Sequence, residues 1–117
     1  MGYLTTHVLD TTHGTPASKV SITLYRLDNG HKTQLTKTIT NQDGRCDQPI
    51  LSEENFKQGS YQLEFAIGDY FRGTGISLEE PLFLDEVVIR FGISDESSHY
   101  HVPVLVSPYG YSTYRGS

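Results

Sequence analysis

The sequence predicts an all-β protein, a two-sheet antiparallel sandwich with one short helix. Three observations carry this prediction. No long stretch repeats its apolar residues at helical spacing. Short segments alternate apolar and polar residues instead, the period of a strand with one buried face. Turn signals separate these segments at short intervals, as in sandwiches. Seven or eight strands follow, and their apolar faces must be covered by a second layer.

Residues 3–10 read as the first strand, with Leu4, Thr6 and Val8 on one side and Thr5, His7 and Leu9 on the other. Period alone leaves open which side is buried. Thr12-His13-Gly14-Thr15-Pro16 punctuates that strand. Residues 19–27 place Val20, Ile22, Leu24 and Arg26 on one face. Asp28-Asn29-Gly30 is a hairpin signal, because Asn and Gly accept positive φ. The chain returns over 32–40 and turns again at Asn41-Gln42-Asp43-Gly44. Ser52-Glu53-Glu54 suits one helical turn. Residues 60–67 hold Tyr61, Leu63, Phe65 and Ile67 in phase. Asp69 is placed to cap a brief helix over 70–73, which Gly73 or Gly75 would end. Residues 84–93 form a continuous apolar strand. The last strands, 99–107 and 109–115, are split by Ser107-Pro108. Pro103 lacks an N–H, so it suggests an edge or a bulge within strand 99–107.

The 117 residues are expected to form one domain, 1–117, large enough to bury about two-thirds of the unfolded surface. Lys+Arg 9 against Asp+Glu 14 leaves a net charge of −5, which argues against a nucleic-acid or membrane-surface binder. A single cysteine, Cys46, forms no internal disulfide, so no oxidising compartment is called for. Arg45 beside it favours the thiolate, but a buried inert thiol is the ordinary state. No apolar run approaches the roughly 20 residues of a membrane span. No secretory signal and no terminal Ser-Lys-Leu are seen. The cytoplasm is the expected compartment, with the peroxisome open if a leader has been removed.

Two features point to chemistry. The stretch from Ser107 to Ser117 carries Tyr109, Tyr111, Tyr114 and Arg115. Tyrosine orders at low entropic cost and arginine offers a planar donor fork, so this tail suits docking as well as an ordinary edge strand. The second feature is the face of strand 99–107 that bears His99, His101, Pro103 and Leu105, opposite an apolar Tyr100, Val102, Val104 and Val106. The histidines then lie on a sheet's outer face. His7 joins them if Val8 faces the core. Outward histidines are usually only solvated, and His13 and His31 read that way. His-x-His also suits a metal, but no carboxylate or cysteine spacing supports one, and no cofactor is expected.

Several separated motifs, in order, resemble the 5-hydroxyisourate hydrolases, transthyretin-related enzymes of purine breakdown. They are Leu4-Thr5-Thr6-His7-Val8-Leu9-Asp10, Gly14-Thr15-Pro16-Ala17, Thr40-Asn41-Gln42-Asp43-Gly44-Arg45 and His99-Tyr100-His101-Val102-Pro103-Val104. Ser107-Pro108-Tyr109-Gly110-Tyr111-Ser112-Thr113 and a terminal Tyr114-Arg115-Gly116-Ser117 complete the match. The resemblance implies a transthyretin-like sandwich. It implies catalytic roles for His7, Arg45, His101 and Ser117, and substrate binding by His7, Arg45, Tyr114, Arg115 and Gly116. Transthyretin shares the Ser-Pro-Tyr-x-Tyr-Ser-Thr stretch but lacks the paired histidines, the turn arginine and the Tyr-Arg-Gly-Ser end. That contrast separates the hydrolase reading from its rival, a small-ligand carrier.

The implied reaction opens a purine-derived ring by attack of water on an amide carbonyl. Histidine, with an ordinary pKa of ~6.5, is the natural base near neutrality. An arginine fork aligns a polar heterocycle and stabilises oxyanion charge. The sequence leaves open which histidine is the base. A flat sheet face does not enclose a ligand, and the family is a dimer of dimers, so a homotetramer is the expected assembly.

Overall fold

Alternating side chains build the core. In β1 (Leu4–Asp10) the even-numbered residues Leu4, Thr6, Val8 and Asp10 are buried, which settles the side that period left open. In β3 (Ser21–Asp28) Ile22 and Leu24 point inward, and in β5 (Gly59–Phe65) Tyr61, Leu63 and Phe65 do so. β7 (Tyr100–Ser107) contributes Val102, Val104 and Val106, as its alternation requires. The structure, a computed structural model, describes residues 2–116. The other elements are β2 (Thr15–Pro16), β4 (His31–Ile39), α1 (Ile67–Gly73), β6 (Val87–Ile93) and β8 (Gly110–Thr113), with a 3₁₀ turn at Glu53–Asn55. No helix among the described residues is long and apolar enough to cross a membrane.

These strands form two four-stranded sheets, ordered β2-β1-β7-β8 and β4-β3-β5-β6, packed as the expected sandwich. The β3–β4 hairpin turns through Asn29 (φ 48°) and Gly30 (φ 81°), the positive-φ pair that matches strand twist. One pair departs from the antiparallel expectation: β1 and β7 run parallel, with Thr5 opposite His101 and His7 opposite Pro103. Parallel neighbours need a long crossover, and the whole second sheet lies between them in sequence.

Three boundaries also move. The helix starts at Ile67, not 70, and Asp69 does not cap it. Docking sets the start. The Gly68 N–H donates to the Asp85 carbonyl at 2.7 Å, and a Cβ on Gly68 would meet Asp85 Oδ1 at 2.4 Å. Asp69 instead accepts a 2.8 Å hydrogen bond from Arg72. The strand expected from 84 begins at Val87, because its partner β5 ends where Phe65 pairs with Val87.

Pro103 is neither on an edge strand nor at a bulge within β7, which pairs without interruption with β1. The Tyr100 N–H reaches the Tyr3 carbonyl on the β1 side, and the His101 carbonyl accepts from Gly116 on the other. By alternation the Pro103 nitrogen therefore faces β8. There the ladder stops at Thr113 and resumes only at the Gly116–His101 bridge. The missing donor is placed where the tail leaves the sheet, so β8 is shorter than the expected 109–115.

Candidate active site

Two neighbouring strands and one turn bring the candidate residues together. His7 and His101 are odd-numbered members of β1 and β7, so both point off the outer face of the first sheet, half-buried. The turn at 41–45 is built by Asn41, whose Oδ1 accepts from the Asp43 N–H at 2.9 Å and the Arg45 N–H at 3.2 Å, an Asx-type turn. Gly44 (φ 74°) lets the turn lie against β1. Its carbonyl accepts from the Val8 N–H at 2.8 Å, and a Cβ there would meet the Val8 oxygen at 2.4 Å. Arg45 is thereby bridged to His7. Among the described residues its exposed guanidinium has no hydrogen-bond partner.

Each imidazole has one nitrogen engaged. His7 Nε2 lies 2.8 Å from the Asp43 carbonyl oxygen. A carbonyl only accepts, so Nε2 carries the hydrogen and Nδ1 holds the lone pair of the neutral ring. His101 Nδ1 lies 2.8 Å from Thr5 Oγ1. Burial pushes the His101 pKa below the ordinary histidine value; the Arg45 and His7 charges push the same way, against a hydrogen bond that the ring donates to the Thr5 main-chain carbonyl. An imidazole whose charged form is disfavoured, beside a guanidinium with no hydrogen-bond partner among the described residues, suits base-assisted hydrolysis with oxyanion stabilisation.

The tail divides its residues between two faces. The Gly116 N–H donates to the His101 carbonyl at 2.7 Å, and a Cβ on Gly116 would stand 2.8 Å from His101 Cδ2. Only glycine lies this close to the ring. Arg115 does not reach the histidine face: its guanidinium stacks on the Tyr100 ring at 3.9 Å and donates to the His99 carbonyl at 3.2 Å. Within the chain this contact clamps the tail on the Tyr100 side of β7; substrate binding by Arg115 belongs to the proposed function. Tyr114 is exposed, and Ser117 lies outside the described residues. His99 stacks on Tyr3 at 3.9 Å, apart from the pair His7 and His101.

Thr5 escaped notice in the sequence, although it shares the His7 face; only the register reveals that it faces His101. Cys46 is half-buried, and burial pushes its thiol pKa up, which fits the inert reading. A small cleft of about 120 Å³ opens between Thr5, Thr6, Arg45, Cys46 and Gln48. Another cleft, about 530 Å³, runs past Arg26, Leu35, Ile50 and Tyr61 and touches none of the candidates.

Residues 4–116 match the model of the HIUase/Transthyretin family. The 5-hydroxyisourate hydrolase of Pseudomonas aeruginosa is 57% identical over 117 residues, covering 100% of this chain and 93% of that protein. The enzyme of the same name from Mesorhizobium japonicum is 60% identical over 116 residues, covering 99% and 93%. The solved 5-hydroxyisourate hydrolase of Klebsiella pneumoniae superposes with a TM-score of 0.82 at 35% identity, covering 100% of both chains. With this sandwich, this outer-face constellation and these relatives, the chain belongs to the HIUase/Transthyretin family.

Proposed function

We propose that this chain, as a single domain over 1–117, hydrolyses 5-hydroxyisourate to 2-oxo-4-hydroxy-4-carboxy-5-ureidoimidazoline. One observation supports the reading: two imidazoles and a guanidinium, far apart in sequence, lie near one another on the outer face of the first sheet. The hydrolase names of full-length relatives support it. In the reaction, one histidine takes a proton from water as the new C–O bond forms. Arg45 holds the substrate oxygens and the developing oxyanion. The proton passes to the leaving nitrogen as the ring C–N bond breaks. No covalent enzyme intermediate is needed. Gly116 keeps the tail flush with His101, Tyr114 and Arg115 are assigned to substrate binding, and Ser117 to a catalytic role.

The cleft beside Arg45 falls short of the roughly 300 Å³ at which ligand pockets begin. A second copy of the same face supplies the missing wall in a homotetramer, a dimer of dimers. The cytoplasm is the proposed compartment. Freshly made 5-hydroxyisourate should lose its ultraviolet absorbance faster with the protein than without it. A rate equal to the spontaneous one would favour the carrier reading instead. Sedimentation at assay concentration should show tetramers, and an active monomer would remove the shared-site reading.

A further inference from the structure

The two imidazoles of the site are held by different oxygens, and the difference assigns a task to Thr5. His7 meets a carbonyl, which fixes its hydrogen on Nε2 and leaves Nδ1 as its free nitrogen. His101 is held the other way round. Its Nδ1 is the engaged nitrogen, 2.8 Å from Thr5 Oγ1, so Nε2 is the nitrogen left for chemistry. The hydrogen bond that a ring nitrogen makes decides which nitrogen carries the proton. Thr5 owes its place to the parallel register, which sets it directly opposite His101. Thr5 is half-buried within a strand, so its hydroxyl is fixed by the sheet and does not wander with a loop.

Resting on the hydrolase reading above, we propose that Thr5 is a positioning residue. Its hydroxyl accepts the Nδ1–H of His101, so that the Nε2 lone pair faces the reacting water. The proton balance is complete. Nε2 takes a proton from water as the oxygen bonds to the carbonyl carbon. It returns that proton to the ring nitrogen as the C–N bond breaks, while Nδ1–H stays on Thr5 throughout. A carboxylate in the same place would also orient the ring, but it would stabilise the imidazolium and favour a protonated base at rest. A neutral hydroxyl orients the ring without that penalty, and Arg45 is left free for the substrate.

The test uses Thr5→Val, which keeps the shape and loses the hydroxyl, and Thr5→Ser, which keeps the hydroxyl. Nitrogen-15 NMR of the full-length protein reads the His101 tautomer without substrate. The wild-type ring should carry its hydrogen on Nδ1. Thr5→Val should raise the Nε2–H population and lower kcat about tenfold, a small part of the roughly 10²–10⁴-fold that a placed base supplies. KM should stay within about twofold, since valine keeps the volume that Thr5 gives to the cleft wall. Thr5→Ser should restore both readouts. A wild-type ring with its hydrogen on Nε2, an unchanged kcat in Thr5→Val, or a Thr5→Ser variant as slow as Thr5→Val would each overturn the proposal. If Thr5→Val does not fold, the wild-type tautomer and the Thr5→Ser rate decide. A wild-type protein inert towards 5-hydroxyisourate would sink the hydrolase reading; the tautomer measurement tests Thr5 separately.

Discussion

Two histidine neighbourhoods flank β1, and they use opposite kinds of partner. Past the strand's end, His13 Nδ1 lies 2.6 Å from Asp10 Oδ2, and the Asp10 side chain is fully buried. The same carboxylate accepts from the Tyr70 hydroxyl at 2.7 Å and from the Thr12 and His13 N–H groups. On the outer face, His7 and His101 meet only neutral oxygens, a carbonyl and a hydroxyl. An aspartate–histidine pair is the more familiar catalytic sign, yet here it fastens structure. Burial raises the Asp10 pKa, but hydrogen bonds from Tyr70 and His13 outweigh it and hold the carboxyl below its ordinary value. Burial and that carboxylate push Tyr70 up to about 12, so its hydroxyl stays a donor. The Asp10 oxygens are engaged by the Thr12-His13 turn and by Tyr70 of α1. The neutral partners of the outer face leave one nitrogen on each ring without a hydrogen bond among the described residues.

The largest expected effect lies at His101. His101→Ala should lower kcat by roughly 10²–10⁴ while the fold survives, because the ring is half-buried and lies outside the core. Steady-state rates and circular dichroism together check this. A near-native rate would move the chemistry elsewhere, the Asp10 pair included.

Arg45→Ala comes next, with an expected loss of about 10²–10³ in kcat/KM. It also sharpens the comparison through pH. Burial, the Arg45 charge and the His7 charge all disfavour the protonated ring of His101, so the acid limb of kcat/KM should lie below ~6.5. Removing the guanidinium removes one of those pushes, and the limb should shift to higher pH. A limb that stays in place would show that Arg45 does not act on His101.

Asp10→Ala should reverse the pattern. Denaturant titration should show a loss of roughly 1–3 kcal/mol, since it removes the acceptor of the half-buried Tyr70 hydroxyl and of two main-chain donors. The rate per folded molecule should hold. The wild-type clamp also carries a pH signature. A carboxyl held low when folded adds stability that is present above its unfolded value of ~3.9 and fades as pH falls through the lower folded value. Asp10→Ala should erase that part of the acid profile. Tyr70→Phe, which deletes one hydrogen bond, should show the smallest effect, about 1 kcal/mol with full activity.

How far the residues alone reveal these two neighbourhoods follows from the range of the forces involved. Strand faces are legible because a period of two is local, and Val102, Val104 and Val106 are buried as their alternation demands. The Asn29-Gly30 turn is legible for the same reason. The start of α1 is not, because the Asp85 carbonyl that meets Gly68 comes from a segment seventeen residues on. Pro103 reads as an edge or a bulge because its missing N–H is local information, whereas β7 is a central strand and the missing donor faces the tail. His7, Arg45, His101 and Gly116 come together through register. Arg115 is drawn to the other face by the Tyr100 ring, a cation–π contact that no spacing announces.

What the sequence determined by itself is the layered β architecture, the core residues, the turns and the residue types that suit hydrolysis. These depend on side-chain alternation, positive-φ residues and intrinsic acidity, all written within a few neighbours. Tertiary structure alone decided that β1 runs parallel to β7, that Thr5 therefore faces His101, and that Asp10 rather than the outer face receives the buried charge contacts. Those outcomes depend on which strands lie side by side, and strand pairing joins residues about a hundred positions apart through geometry that no local pattern encodes.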